Sequence, residues 1–244
     1  MSSQHIFSAF DRDLEQIQAK IMQMGGLVEE AIVDTAKSLE ARDEELAEQV
    51  RVKDRRIDTM EAEINDDAAM VIALRAPTAI DLRVILAVLK ITGNLERIGD
   101  YAKNIAKRTG VLAQLPHVDG STAALRRMAR EVEEMLKNAL DAYIRQDAAL
   151  ARVVIDRDAD VDQMYNALFR EFLTFMMEDP RNITACMHLH FIAKNIERMG
   201  DHVTSVAEQV VFLVDGQKPQ EKRDKQDQTS VDVALSTGLD GQGA

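Results

Sequence analysis

Two short acidic motifs each occur twice in the chain. One reads Asn94-Leu95-Glu96-Arg97-Ile98-Gly99-Asp100 and returns as Asn195-Ile196-Glu197-Arg198-Met199-Gly200-Asp201. The other lies upstream of each copy, as Asp54-x-x-x-Asp58 and Asp158-x-x-x-Asp162. A spacing of four puts two carboxylates on one face of a helix. Like charges so placed destabilise a helix by a few tenths of a kcal/mol per pair, which a cation would offset. Clustered carboxylate oxygens suit hard cations such as magnesium, calcium or manganese, and iron bridged by carboxylates. The plainer alternative is a solvated acidic face balanced by Arg55, Arg97, Arg157, Arg198 and Lys103.

The elements that must position these acids are helices. Apolar residues recur at alternating steps of three and four through Leu14, Ile17, Ile21, Met24, Val28, Ala31, Thr35 and Leu39. A second such run covers Leu46 to Leu74. A third, from Val84 to Ile105, follows the break at Pro77. After a loop at Leu115-Pro116-His117-Val118-Asp119-Gly120 come three more segments, from Leu125 to Tyr143, Leu150 to Phe175 and Cys186 to Leu213. Asp179-Pro180 punctuates the last two as Ala76-Pro77 does the second and third. The expectation is an all-α protein of two tandem three-helix bundles, residues 1–115 and 116–215. The polar stretch 216–244 reads as a disordered tail. Gly25-Gly26 lies inside the first helix and marks a bend or a close contact.

Helices two and three of each repeat should be antiparallel neighbours. A turn at Pro77 then sets Asp58 level with Glu96 and Asp54 level with Asp100. A turn at Asp179-Pro180 does the same for Asp162 with Glu197 and Asp158 with Asp201. Each repeat thus gathers four carboxylates at one height. A helical wheel sets them off the Leu95, Ile98, Ala102, Ile105 stripe, predicting two grooves on the bundle flank, open to solvent. Gly99 and Gly200 leave room for a ligand or another helix, and His190 and Glu208 share the face of the second quartet. A carboxylate-bridged metal oxidase or metal-storage bundle is the enzymatic alternative. Such sites use Glu-x-x-His from facing helices in the core, and no His here lies three residues after a Glu. Nucleophile elbow, P-loop and zinc-type Cys/His spacings are also missing, so no enzymatic activity is expected.

Composition narrows the setting. The 244 residues carry a net charge of −12, which argues against nucleic acid and against adsorption to an anionic membrane. Aromatics are 4%, apolar residues 46%, Trp is absent and Pro numbers 4, a mix that favours helix. The lone Cys186 excludes an internal disulfide and suits a reducing compartment. The first residues, Met1-Ser2-Ser3-Gln4-His5, show no signal-peptide pattern, and no apolar run approaches the ~18 residues of a membrane span. A cytoplasmic protein is expected.

Tandem repeats carrying Glu-Arg-Ile-Gly-Asp and Glu-Arg-Met-Gly-Asp closely resemble the PhoU family of phosphate-signalling proteins. Ala73-Leu74-Arg75-Ala76-Pro77, Asp81-Leu82-Arg83 and Phe175-Met176-Met177-Glu178-Asp179-Pro180-Arg181 match as well, and the likeness covers roughly residues 5–214. The resemblance implies a non-catalytic adaptor that represses the phosphate-starvation response by linking the Pst phosphate transporter, through its ATPase, to a PhoR-type histidine kinase. Some members hold multinuclear iron or zinc. Carried onto this chain, the ligands would be Asp54, Asp58, Glu96 and Asp100, then Asp158, Asp162, Glu197 and Asp201. Manganese or magnesium would suit the same oxygens. The resemblance also implies a homodimer.

Overall fold

The structure, a computed structural model, describes residues 2–217, with side chains from residue 9 onward. The expected tail lies, beyond residue 217, outside the described residues. Six long helices follow one another: α1 (Ser2–Ala41), α2 (Glu44–Arg75), α3 (Ile80–Ala113), α4 (Ser121–Arg145), α5 (Ala148–Glu178) and α6 (Ile183–Asp215). A single 3₁₀ turn, Pro180–Asn182, joins the last two. No strand occurs among the described residues, and none of their helices is long and apolar enough to cross a membrane.

Local chemistry sets the boundaries in the same way in both halves. Arg42 and Gln146 take left-handed backbones (φ 53 and 50) that end α1 and α4. The next residue in each case is an Asp that caps the following helix. Asp43 accepts from the Leu46 amide at 2.9 Å, and Asp147 accepts from Ala149 and Leu150 at 2.9 and 3.0 Å. Ala76, also left-handed, ends α2 one residue before Pro77.

The helices form two layers. α2, α3, α6 and α5 lie side by side in that order, and α1 and α4 pack together across one face of the row. α3 and α6 run antiparallel at the centre, where His202 Nδ1 lies 2.8 Å from Asn94 Oδ1 and Arg108 lies 3.3 Å from His188. One apolar core runs through both repeats, from Ile17, Ile21 and Met24 of α1 to Val203, Val206 and Val210 of α6. Burying it is what holds these long amphipathic helices together.

Gly25 is a close contact and not a bend, since α1 continues unbroken through it. A Cβ there would lie 2.4 Å from Leu140 Cδ1 of α4, whereas one on the exposed Gly26 would meet nothing within 4 Å. Leu140 is itself fully buried and has little room to turn. Gly25→Ala should therefore lower stability by about 1 kcal/mol, overpacking of ~1–3 kcal/mol outweighing a helix-propensity gain of ~1. Gly26→Ala, with the gain alone, should raise it by up to ~1 kcal/mol. Thermal midpoints of the two variants, moving in opposite directions, check this.

Candidate functional site

The motif glycines let the helices of each repeat approach. A Cβ on Gly99 would lie 3.0 Å from Ile57 Cδ1 and 3.5 Å from Asp54 Oδ1. One on Gly200 would lie 3.4 Å from Val161 Cγ1 and 3.6 Å from Asp158 Oδ1. Absence of the side chain seats an α2 or α5 carboxylate directly against the partner helix.

In the first repeat, Asp54 is only 4% exposed. Its Oδ2 is paired with the Lys103 ammonium, which also donates to Asp100 Oδ1 at 2.8 Å. Asp54 Oδ1 is buried without a hydrogen-bond partner. Burial pushes the Asp54 carboxyl up, with Lys103 working against it. Glu96 and Asp100 share a hydrogen bond, and burial followed by the Asp100 charge raises Glu96 from 4.5 to about 7. Asp100 itself is held low: burial opposes this, but Lys103 outweighs it. Burial likewise opposes charge on Lys103, whose bonds to Asp100 and Asp54 nonetheless hold its pKa above the ordinary lysine value. Arg97 flanks the pair, 3.5 Å from Glu96 and 3.6 Å from Asp100.

In the second repeat, Asp158, Asp162 and Glu197 are buried, at 8, 5 and 3% exposure, and Asp201 is partly buried. Lys194 Nζ lies 2.9 Å from Glu197 Oε1, while Glu197 Oε2 is buried without a hydrogen-bond partner. Burial raises Glu197, and the charges of Asp201 and Asp162 raise it further. The Thr204 hydroxyl lies 3.1 Å from Asp158 Oδ1 and 3.0 Å from the Gly200 carbonyl.

The expected grooves therefore need correction. The second is largely covered, with three of its four carboxylates buried, whereas in the first only Asp54 is buried, Glu96 and Asp100 are partly exposed and Asp58 is exposed. α3 packs against α1, α2 and α6, and α6 against α3, α4 and α5, so the covered arc of each is far wider than the stripe facing one neighbour. The structure does bring Asp54 to Asp100, and Glu197 to Asp162 and Asp201. Asp58 stays exposed, and Glu61, about one turn further along α2, is among the charges that raise Glu96. His190 packs among the Tyr165 and Phe169 rings, at 5.9 and 5.4 Å. Of the expected counter-charges, Arg157 turns instead to Glu131 and Glu134 of α4, and Arg55 and Arg198 are exposed.

Residues 21–109 and 125–210 both match the PhoU domain, and each segment contains one full quartet. The chain belongs to the PhoU family. It is 43% identical over 225 residues to the phosphate-specific transport system accessory protein PhoU homolog of Caulobacter vibrioides, covering 92% of this chain and 98% of that one. To the homolog of the same name from Zymomonas mobilis it is 47% identical over 222 residues, covering 91% and 93%. The crystal structure of PhoU from Pseudomonas aeruginosa superposes with a TM-score of 0.83 at 38% identity, covering 85% of this chain and all of that one.

For a PhoU-family chain, the question is whether these donors fit a cation. By kind they do: oxygen donors face one another from adjacent helices, glycines open the seam, and one buried oxygen in each quartet lacks a partner. As the side chains stand, no group of three or more His, Cys, Asp or Glu among the described residues is placed to hold a metal ion. Binding would require carboxylates to turn toward a common point. The groups that sequence reasoning passed over are Lys194 and Thr204, together with the bridging position of Lys103. The signal was within reach, because Lys103 and Thr204 occupy the same position, three residues after the motif Asp, in two ungapped copies.

Proposed function

We propose that this protein regulates phosphate uptake and phosphate homeostasis, repressing the phosphate-starvation response by coupling the Pst transporter to a PhoR-type sensor kinase from the cytoplasmic side. What carries the reading is the match of both repeats to the PhoU domain, with relatives that are themselves phosphate transport accessory proteins. The protein acts by contact and not by catalysis. The apolar run Ile183, Met187 and Phe191, exposed one turn apart on α6, supports a protein partner, and a homodimer fits it.

Asp54, Asp58, Glu96 and Asp100, with Asp158, Asp162, Glu197 and Asp201, would hold iron, zinc or another divalent cation. A bound cation would bridge helices two and three of a repeat and stiffen the surface that a partner reads. Support comes from the unpartnered oxygens of Asp54 and Glu197.

An alkaline phosphatase reporter of the phosphate regulon, in cells lacking this protein and grown in ample phosphate, tests the regulatory role. Output should be high and should fall when the intact gene is restored; low output without the protein would refute repression. For the metal, the Asp100→Ala, Asp201→Ala double variant should lose most bound metal while keeping its helical circular dichroism. Unchanged metal stoichiometry would remove these carboxylates as ligands.

A further inference from the structure

We propose that the outer groove between α1 and α4 is a docking site for an acidic amphipathic helix of a partner protein, with a leucine-sized side chain seated between Ala36 and Ala129. This rests on the reading that the protein acts by contact, and its test needs no phosphate readout.

α1 and α4 pack antiparallel, in contact at Gly25 and Leu140 toward one end and joined by the Arg126–Glu40 ion pair, at 2.8 Å, toward the other. Left-handed Arg42 and Gln146, each followed by a capping Asp, align the two helices with each other. In that alignment Ala129 stands where α1 has Gly25, and Ala36 stands where α4 has Leu140. The seam therefore has two like crossings, roughly 16 Å apart at ~1.5 Å per residue. At the first, leucine meets glycine so closely that a Cβ on Gly25 would lie 2.4 Å from Leu140 Cδ1. At the second, two alanines meet, and Ala36 has no side chain to fill the seam as Leu140 does. A groove of about 200 Å³ opens there, floored by Ile32, Ala36 and Ala129. A smaller hollow of about 10 Å³ shares those three residues and extends the gap to the buried Ile105 and Met199.

Charge decides what flanks the incoming side chain. Among the described residues, Lys37, Arg126 and Arg130 line the groove with a single acid, Glu133, in a chain of net charge −12. Each cation has an acid beside it: Asp34 for Lys37 at 3.5 Å, Glu40 for Arg126 at 2.8 Å and Glu134 for Arg130 at 3.4 Å. Those three acids stand outside the groove lining, and the cation side chains are 61, 58 and 74% exposed. Exposed pairs of this kind are worth little and exchange readily for a carboxylate docked beside an apolar floor. A partner with Lys or Arg in the same place is repelled. An apolar anchor set in a gap and ringed by matching charge is how an amphipathic helix seats in a groove.

The test titrates the full chain into a labelled helical peptide of about 20 residues, built from Leu, Ala and Glu with Leu along one face, and reads fluorescence anisotropy. A second peptide has Lys in place of every Glu, and a third has Ala in place of every Leu. The first should bind, and the other two should bind at least about tenfold more weakly. Ala36→Leu with Ala129→Gly rebuilds the Gly25–Leu140 crossing at the open end and should abolish binding while keeping the helical circular dichroism. Arg126→Glu with Arg130→Glu, both on the surface, should weaken binding at least about tenfold and serves if the filled variant folds poorly. A Glu/Leu peptide that does not bind, binds no better than its Lys counterpart, or binds both variants as well as wild type would overturn the inference. The regulatory reading would then stand or fall by its own reporter. Sedimentation velocity without peptide covers the other occupant: a dimer that the filled variant turns into a monomer would make the groove a seam between two copies and overturn the inference as well.

Discussion

Lys103→Met should lower the unfolding free energy of the metal-free protein by about 2–3 kcal/mol, and adding Asp54→Asn should return most of that loss. Asp54 is almost wholly buried and Lys103 about a quarter exposed, so water partly screens the ammonium but hardly reaches the carboxylate. Removing one partner of a buried ion pair typically costs ~3–5 kcal/mol because the other charge is stranded, and the exposure of Lys103 trims that figure. Asp54 would be doubly stranded, since its Oδ1 already lacks a partner. An uncharged amide at position 54 removes the stranded charge, so the double variant should sit close to Asp54→Asn alone. Urea unfolding of the four proteins in chelator gives the coupling energy directly. A Lys103→Met loss below about 0.5 kcal/mol would place the pair with ordinary surface ion pairs.

The second large effect is a loss of stability with rising pH. Glu96 is raised from 4.5 to about 7 by burial and by Asp100. A carboxyl whose folded pKa exceeds its unfolded value binds its proton more tightly in the native state. Its contribution is fully present below pH 4.5 and is lost as pH rises through 7. Taken alone the shift would be worth ~3 kcal/mol at 1.36 kcal/mol per unit, and sharing the proton with Asp100 reduces that to about 2. Asp100, held low, acts with the opposite sign, but its loss falls below the ordinary aspartate value of 3.8 and outside this window. Asp54 and Glu197 are also raised and add slope of the same sign. Glu96→Gln, which cannot titrate, should therefore flatten the pH 4.5–7 stability profile of the chelated protein by about 2 kcal/mol without abolishing it. Urea midpoints at half-unit pH intervals measure this, and an unchanged slope would mean Glu96 is charged across the range.

For the fold, these two effects share a lesson. Each arises where a charged group is covered by a neighbouring helix, and coverage is a tertiary property. The wheel read from α3 alone set Glu96 and Asp100 outside the apolar stripe, and for contact with α1 that is correct: Thr35 Oγ1 reaches the Ala102 carbonyl from that side. Packing of α2 on the flank is what buries Asp54 and half-buries the motif acids.

Much was legible in the sequence. Three-and-four apolar spacing, the proline breaks and the twice-repeated motif determine six long helices, two antiparallel hairpins with known apices and membership of the PhoU family, because periodicity and turn chemistry act locally. Which carboxylates lie next to which followed in part from the same local facts: Asp54 did meet Asp100 once the apex was known. Three-dimensional packing alone decided that three acids of the second quartet but only Asp54 of the first are buried, that Glu61 adds its charge to those acting on Glu96, and that a side chain at Gly25 would strike Leu140 while one at Gly26 would meet nothing. It also decided that Lys103 crosses the seam to bridge two helices while Thr204, its counterpart, stops at a hydrogen bond. Side-chain type at a position is written in the chain, but its burial and its partner depend on helices from distant segments, and those two quantities set the energy of a charge.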